Sequence, residues 1–274
     1  MNKSLVYLIA AIAIVSLGVA SAGAQTGTPV PRVTGPIPVT ADSYAWLAAN
    51  KTQESADLAK TGYVEEEFIV SGTANIYDWN TDGSLRVKTP NAPYTTRILV
   101  RRPADPARFS GNVSVELLNE ARGYDWSFVW AIAHPYFIEH GDAFVGITHM
   151  PQNVDALKKF NPSRYASLSF ANPNPAETCG PQNAVSATEE GLHWDMISQV
   201  GALLKSKAAT GPLAGLNVQY LYMSSHHGHA ATYAVAIHSR AKLGNGKPVY
   251  DGYLLPSWDN PMRLSRCGAA PANG

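Results

Sequence analysis

The fold is indicated most clearly by residues 216–255, which read LNVQYLYMSSHHGHAATYAVAIHSRAKLGNGKPVYDGYLL. The β-branched and aromatic residues at 216–223 predict a strand, the apolar pattern at 230–240 predicts a helix, and 249–255 predict another strand. A strand, a helix and a second strand in this order form a unit of a parallel sheet. A tight polar turn at 223–229 joins the first strand to the helix.

The same alternation extends towards the N-terminus. We predict earlier strands at 65–76, 95–102, 112–118 and 143–149, and helices at 127–139 and over about 18 residues after Glu189. The first two strands are closely joined and are expected to pair antiparallel at one edge of the sheet. The predicted fold class is α/β, with a mostly parallel sheet covered by helices on both faces.

Composition limits the function classes. The chain has 274 residues and carries 21 Lys+Arg against 21 Asp+Glu, so it lacks the basic excess typical of nucleic-acid binders. Two cysteines are too few for a disulfide-rich scaffold or a four-thiolate metal site. The sequence does not decide whether Cys179 and Cys267 form a disulfide or are two free thiols.

The N-terminus predicts export. Residues 1–24 have the charged start, apolar stretch and small cleavage residues of a signal peptide. Residues 25–40 are expected to be an extended leader, and 41–274 to be the domain. After cleavage we expect no stable membrane insertion and a periplasmic or secreted location, while the oligomeric state stays unknown.

Ligands bind at the carboxyl ends of strands in open parallel sheets, so the loop 119–126 and the turn 223–229 are the candidate site. A serine in such a strand-to-helix turn stands where an α/β-hydrolase has its nucleophile. The sequence resembles the secreted bacterial α/β-hydrolase domain proteins, an esterase-like family. The matching stretches are GYVEEEFIVSGTANIY at 62–77, SGNVSVELLNE at 110–120, VDALKKFNPSRYASLSF at 154–170, WDMISQVGALLKS at 194–206, ATYAVAIH at 231–238 and YDGYLL at 250–255.

The resemblance implies hydrolysis of a small-molecule carboxylic ester or related acyl bond by a serine nucleophile, without an organic cofactor. Counting back from Thr232 places the nucleophile on Ser224, with Ser225 as the alternative. A gapped alignment would put His227 there, and the nucleophile would then be lost. The family pattern predicts the backbone N–H groups of Ser225 and Ala121 as oxyanion donors.

The triad is incomplete in this sequence. Asp251 and Asp259 follow Ser224, but no histidine follows either acid, so the chain is expected to lack the acid–histidine pair. It is also expected to lack the last strands of the family's sheet. A C-terminally truncated or inactive hydrolase is one expectation, and an exported non-catalytic binding protein is the alternative.

Two other groups of residues have alternative interpretations. One group is the polar turn with His226, His227 and His229. We predict that it lies at a pocket rim and binds no metal, and the alternative is that the three histidines form a metal site. The isolated histidines are expected to be surface or hydrogen-bonded core residues; they are His134, His140, His149 and His193. The acidic run Glu65–Glu67 is expected to be a solvated strand edge.

Overall fold

The computed structural model describes residues 27–52, 55–256 and 262–268. The predicted signal peptide lies outside the described residues. Part of the predicted leader pairs with the domain, because a short strand at Arg32–Thr34 is hydrogen-bonded to the sheet.

Seven strands form one mixed sheet in the order β1-β2-β3-β5-β4-β6-β7. The strands are β1 (Arg32–Thr34), β2 (Tyr63–Trp79), β3 (Leu85–Pro103), β4 (Asn112–Leu117), β5 (Ala143–Ile147), β6 (Tyr220–Ser225) and β7 (Gly252–Leu254). The pairings β1–β2, β2–β3 and β3–β5 are antiparallel, whereas β4–β5, β4–β6 and β6–β7 are parallel. The predicted antiparallel edge and parallel remainder are therefore confirmed, although the long β2–β3 hairpin extends beyond the predicted strands.

Six α-helices occur in the described residues: α1 (Leu58–Thr61), α2 (Phe128–His140), α3 (Pro151–Phe160), α4 (Pro162–Tyr165), α5 (His193–Lys205) and α6 (His229–Thr232). The helix predicted at 230–240 is shorter than expected, because α6 changes after four residues into a π-helical turn at Tyr233–Ile237. No described helix has the length and apolar content needed to cross a bilayer.

The sheet is covered on both faces. Along β5, Ala143 and Val145 belong to the main core with α5, and Phe144 between them packs with Trp130 and Phe137 of α2. This division follows from the alternation of side chains along a strand. The predicted α/β fold with helices on both faces is confirmed.

A disulfide joins Cys179 to Cys267, with their Cα atoms 5.4 Å apart. It connects the segment before α5 to the described segment 262–268. The two cysteines, which the sequence left open, are therefore paired.

A buried ionic cluster links the sheet to the segments around it. Glu67 of β2 accepts hydrogen bonds from Arg97 Nε at 2.5 Å, Arg164 Nε at 2.6 Å and the Tyr165 hydroxyl at 2.7 Å. Arg97 also lies 3.3 Å from Asp125. The expectation that the whole acidic run 65–67 is solvated is wrong for Glu67, which is 2% exposed.

We expect Glu67→Gln to lower the free energy of unfolding by about 3–5 kcal/mol, because two buried guanidinium groups would lose their shared countercharge. The matched control is Glu66→Gln on the same strand, where the pair with Arg102 is partly exposed and worth about 0–1 kcal/mol. Urea unfolding of the two variants measures both values. Equal losses in the two variants would contradict the proposed importance of the buried cluster.

Candidate functional site

The turn after β6 differs from the predicted one. β6 continues through Ser225, so the bend consists of His226, His227 and Gly228, and α6 begins at His229. Ser224 and Ser225 are the last residues of the strand and are 1% and 2% exposed. The prediction that a serine hydroxyl stands exposed in the bend is therefore wrong.

Both serine hydroxyls make internal hydrogen bonds. Ser224 Oγ donates to the carbonyl of Val115 at 3.4 Å, a weak contact within the sheet. Ser225 Oγ donates to the carbonyl of His227 and accepts from the backbone N–H of Ala230 at 2.9 Å, which ties the bend to the start of α6. These bonds give Ser225 a structural role, and the catalytic role of either serine stays a prediction.

The predicted oxyanion donors are also placed differently from expectation. The backbone N–H of Ala121 donates to Asn119 Oδ1 at 2.9 Å, so this donor is already used within its own loop. Ser225 contributes its backbone to the end of β6 and not to the start of a helix. Asp251, a possible acid by sequence order, precedes β7 and accepts from the backbone N–H of Leu221 near the start of β6, away from the carboxyl ends of the strands.

The His226 and His227 rings lie 5.0 Å apart, but the histidines of the turn face different surroundings. The His226 ring packs against Phe128 with centroids 4.4 Å apart and lies 6.1 Å from the Trp126 ring. His229 instead lies in the interior, where its ring is 4.7 Å from that of His149 and 5.3 Å from that of His193. The three histidines of the turn therefore do not form the metal site considered from the sequence.

A different cluster forms at the carboxyl ends of the adjacent strands β5, β4 and β6. Glu120 follows β4, His149 follows β5 and His229 begins α6 after β6. One carboxylate oxygen of Glu120 is 3.9 Å from His149 Nε2, and the other is 3.9 Å from His229 Nδ1. One potential ligand atom from each residue lies within 4.8 Å of the other two. We name Glu120, His149 and His229 the strand-end cluster.

The interpretation of His149 and His193 as surface or hydrogen-bonded core residues is only partly right. Both are buried, but neither ring nitrogen of His149 makes a hydrogen bond in the described structure. His193 places Nδ1 at 2.5 Å from the carbonyl of Glu190, and its Nε2 has no hydrogen-bond partner. The available sequence signal was that Glu120 lies just after one predicted parallel strand and that His149 is the last residue of another.

Burial keeps the imidazoles neutral. It lowers the pKa of His149 and of His229 well below the ordinary value, and the neighbouring histidines add to the effect in both. Burial also lowers the pKa of His193 to about 3, against the opposing effect of the Glu190 carbonyl. Each of these rings therefore has one N–H and one lone pair at neutral pH.

An aromatic cavity of about 340 Å³ adjoins the loop that carries Glu120. Arg122, Tyr124 and Trp126 of this loop line the cavity, and the other aromatic residues in its lining are Tyr44, Trp46, Trp130 and Phe160. The Arg122 guanidinium lies over the Trp126 ring at 4.0 Å from its centroid. Trp126 also lies near His226, so this side chain both lines the cavity and borders the turn after β6.

Comparison with known proteins identifies the fold family. A family model described as an alpha/beta hydrolase domain matches residues 33–272. Among solved structures, the chain is similar to Candida antarctica lipase A in its closed state, at 12% identity and a TM-score of 0.22. The match covers 79% of this chain and 48% of the lipase chain, so this chain spans about half the length of that lipase. No curated protein matches the sequence.

The lowered pKa of His193 predicts a pH-dependent contribution to stability. The unfolded state binds the proton near pH 6.5 and the folded state near pH 3, so acidification between these values favours unfolding. We expect the difference in unfolding free energy between wild type and His193→Gln to fall by about 2 kcal/mol from pH 7 to pH 5.

Urea unfolding at the two pH values measures this difference. His140→Gln, at an exposed position on α2, controls for the general effect of removing a histidine. A difference for His193→Gln that is constant between pH 7 and pH 5, or that grows towards pH 5, would contradict the assignment of a buried neutral ring.

Proposed function

The chain belongs to the alpha/beta hydrolase domain family, and from that premise we propose that it hydrolyses carboxylic esters or related acyl bonds at the carboxyl ends of β4, β5 and β6. The observation that carries this proposal is the convergence of Glu120, His149 and His229, of which Glu120 belongs to the same loop as three residues that line the aromatic cavity. Fold alone does not define a reaction, so the argument depends on what these side chains can do.

We propose that water, and not a serine hydroxyl, attacks the carbonyl. Glu120 exposes 12% of its side chain, compared with 0% for His149 and 1% for His229, so it is the member of the cluster that solvent reaches. A carboxylate in this position can accept a proton from an attacking water. A neutral imidazole beside it can donate its N–H to the oxyanion that forms on the carbonyl oxygen.

The buried serines support this choice. A serine hydroxyl attacks esters quickly only when a base is within hydrogen-bond reach. Ser225 Oγ donates to the His227 carbonyl and accepts from the Ala230 N–H, and Ser224 Oγ donates to the Val115 carbonyl. Serine attack would require both the bend and the strand end to rearrange.

The cavity suggests the kind of substrate. Its aromatic walls suit an apolar acyl or aryl group, and Arg122 and Lys51 add positive charge at the lining. We propose that the ester has an apolar part of this kind and that its carbonyl faces the strand-end cluster. The proposal also includes export, supported by the sequence of residues 1–24 and by the disulfide, which is typical of oxidising compartments.

Turnover of p-nitrophenyl butyrate by purified protein tests the reaction. We expect Glu120→Gln to lower kcat/KM by about 100-fold or more, the usual contribution of a general base. The matched control Glu139→Gln removes an exposed carboxylate from α2 and should leave turnover unchanged. Absence of turnover by the wild type would contradict the proposal and favour the non-catalytic binding protein.

The same assay on Ser224→Ala and Ser225→Ala tests the mechanism. We expect each folded variant to keep turnover within about threefold of the wild type, because a hydroxyl without a base contributes little. We also expect no covalent adduct with a fluorophosphonate probe. An adduct on either serine, together with loss of turnover on its replacement by alanine, would establish serine catalysis instead.

A further inference from the structure

The strand-end cluster brings together groups that bind metal ions well. Its three residues come from the ends of three neighbouring parallel strands, where the backbone fixes their relative positions. Imidazole nitrogen and carboxylate oxygen are ligands that Zn²⁺ and related divalent ions accept. The cluster is distinct from the histidine group 226, 227 and 229 considered from sequence, since only His229 is common to both.

Unsatisfied buried nitrogen atoms provide the second observation. Both ring nitrogens of the fully buried His149 and Nδ1 of His229 have no hydrogen-bond partner in the described structure. A buried polar atom without a partner destabilises the folded state. Such atoms in a native protein call for an explanation such as a bound ion. Here Nε2 of His149 and Nδ1 of His229 are each 3.9 Å from Glu120.

We propose that Glu120, His149 and His229 bind one divalent transition-metal ion, with Zn²⁺ as the best match to the ligand set. The ligand atoms lie within 4.8 Å of one another. A tetrahedral zinc site with bonds of about 2.0–2.1 Å needs ligand atoms about 3.4 Å apart. Binding of the ion would therefore draw these ligand atoms together by up to about 1.4 Å.

The three ligands leave one coordination position open, as in catalytic zinc sites with three protein ligands and a water. His193 is the neighbouring imidazole, with its ring 5.6 Å from that of His149 and 5.3 Å from that of His229. Because its Nδ1 is within hydrogen-bond distance of a carbonyl, which can only accept, Nδ1 carries the proton and Nε2 presents a lone pair. The His193 ring therefore packs against both histidine ligands with its Nε2 lone pair free of a proton.

The role of the ion in hydrolysis rests on the proposed function, whereas binding of the ion does not. A bound ion would take Glu120 as a ligand and would supply the activation of water that Glu120 provides as a base without the ion. The proposed reaction stays the same, because water still attacks the carbonyl, but the group that activates the water changes.

Isothermal titration of the purified, untagged protein with ZnCl₂ after dialysis against EDTA tests the inference. We expect one Zn²⁺ per chain, and we expect Glu120→Gln to weaken binding by about 100-fold, because a charged ligand is lost. Glu120 is partly exposed, so this variant should fold. His140→Gln on α2 is the control for adventitious binding to surface histidines, and MgCl₂ is the control for a site that prefers oxygen ligands.

A second measurement keeps the test independent of the stability of core variants. Co²⁺ added to the wild type should give the intense visible absorption of a four- or five-coordinate site. That absorption should disappear in His149→Gln even if the variant is less stable, provided that circular dichroism shows it to be folded. Stoichiometric binding with no esterase turnover would support the site and contradict the proposed function.

Three results would overturn the inference. One is no zinc binding above that of the His140→Gln control. Another is zinc binding that Glu120→Gln and His149→Gln leave unchanged, which would locate the ion elsewhere. The third is a Co²⁺ spectrum typical of six-coordinate aqueous ions. Ester turnover that persists after EDTA treatment in protein shown to bind no zinc would leave the proposed function standing alone.

Discussion

The carboxylate of Glu67 is the point on which the arrangement of the loops depends. Two guanidinium groups and a phenol converge on it inside the protein. Burial would lower the pKa of Arg97, but Glu67 and the other nearby groups more than compensate and raise it above the ordinary value, so Arg97 stays charged. Arg97 also donates to the carbonyl of Trp46 and Arg164 to that of Pro38, so the segment before β2 is fixed to the same charge.

This cluster reaches the candidate site through Asp125. Its carboxylate receives hydrogen bonds from Thr148 Oγ1 and from Asn153 Nδ2 at 2.7 Å, in addition to the contact with Arg97. Asp125 closes the loop that contains Glu120, and Thr148 directly precedes His149. One buried acid therefore positions two members of the strand-end cluster relative to each other. Loss of one member of such a network leaves a buried charge unpaired, so the site geometry and the stability of the fold are coupled.

Local sequence patterns were sufficient to predict the strands of the sheet, but not the buried ionic pairs or the positions of the site residues. Periodicity located the central strands because the alternation of β4, β5 and β6 with helices is a property of neighbouring residues. The burial of Glu67 was missed because its partners Arg97 and Arg164 come from β3 and α4, and no local pattern shows that pairing. The prediction that Ser224 lies in the turn is wrong. It was made by counting back from Thr232, and such a count does not show that β6 extends to Ser225 or that a π-helical turn follows α6. The site was predicted in part. Both loops at the strand ends, 119–126 and 223–229, were identified, but His149 was interpreted as an isolated histidine outside the site.

The difference between a hydroxyl and an imidazole explains why the same scaffold can hold different chemistry at this bend. A hydroxyl becomes a nucleophile at neutral pH only with a histidine and an acid that the fold must supply from other loops. A buried neutral imidazole already has a lone pair, so it can bind an ion or orient a water without that relay. The carboxyl ends of β4, β5 and β6 meet whatever their side chains are. In the proposed metal site, two histidines and a carboxylate at these three ends take the place of a complete triad, and Asp125 positions two of the three ligands.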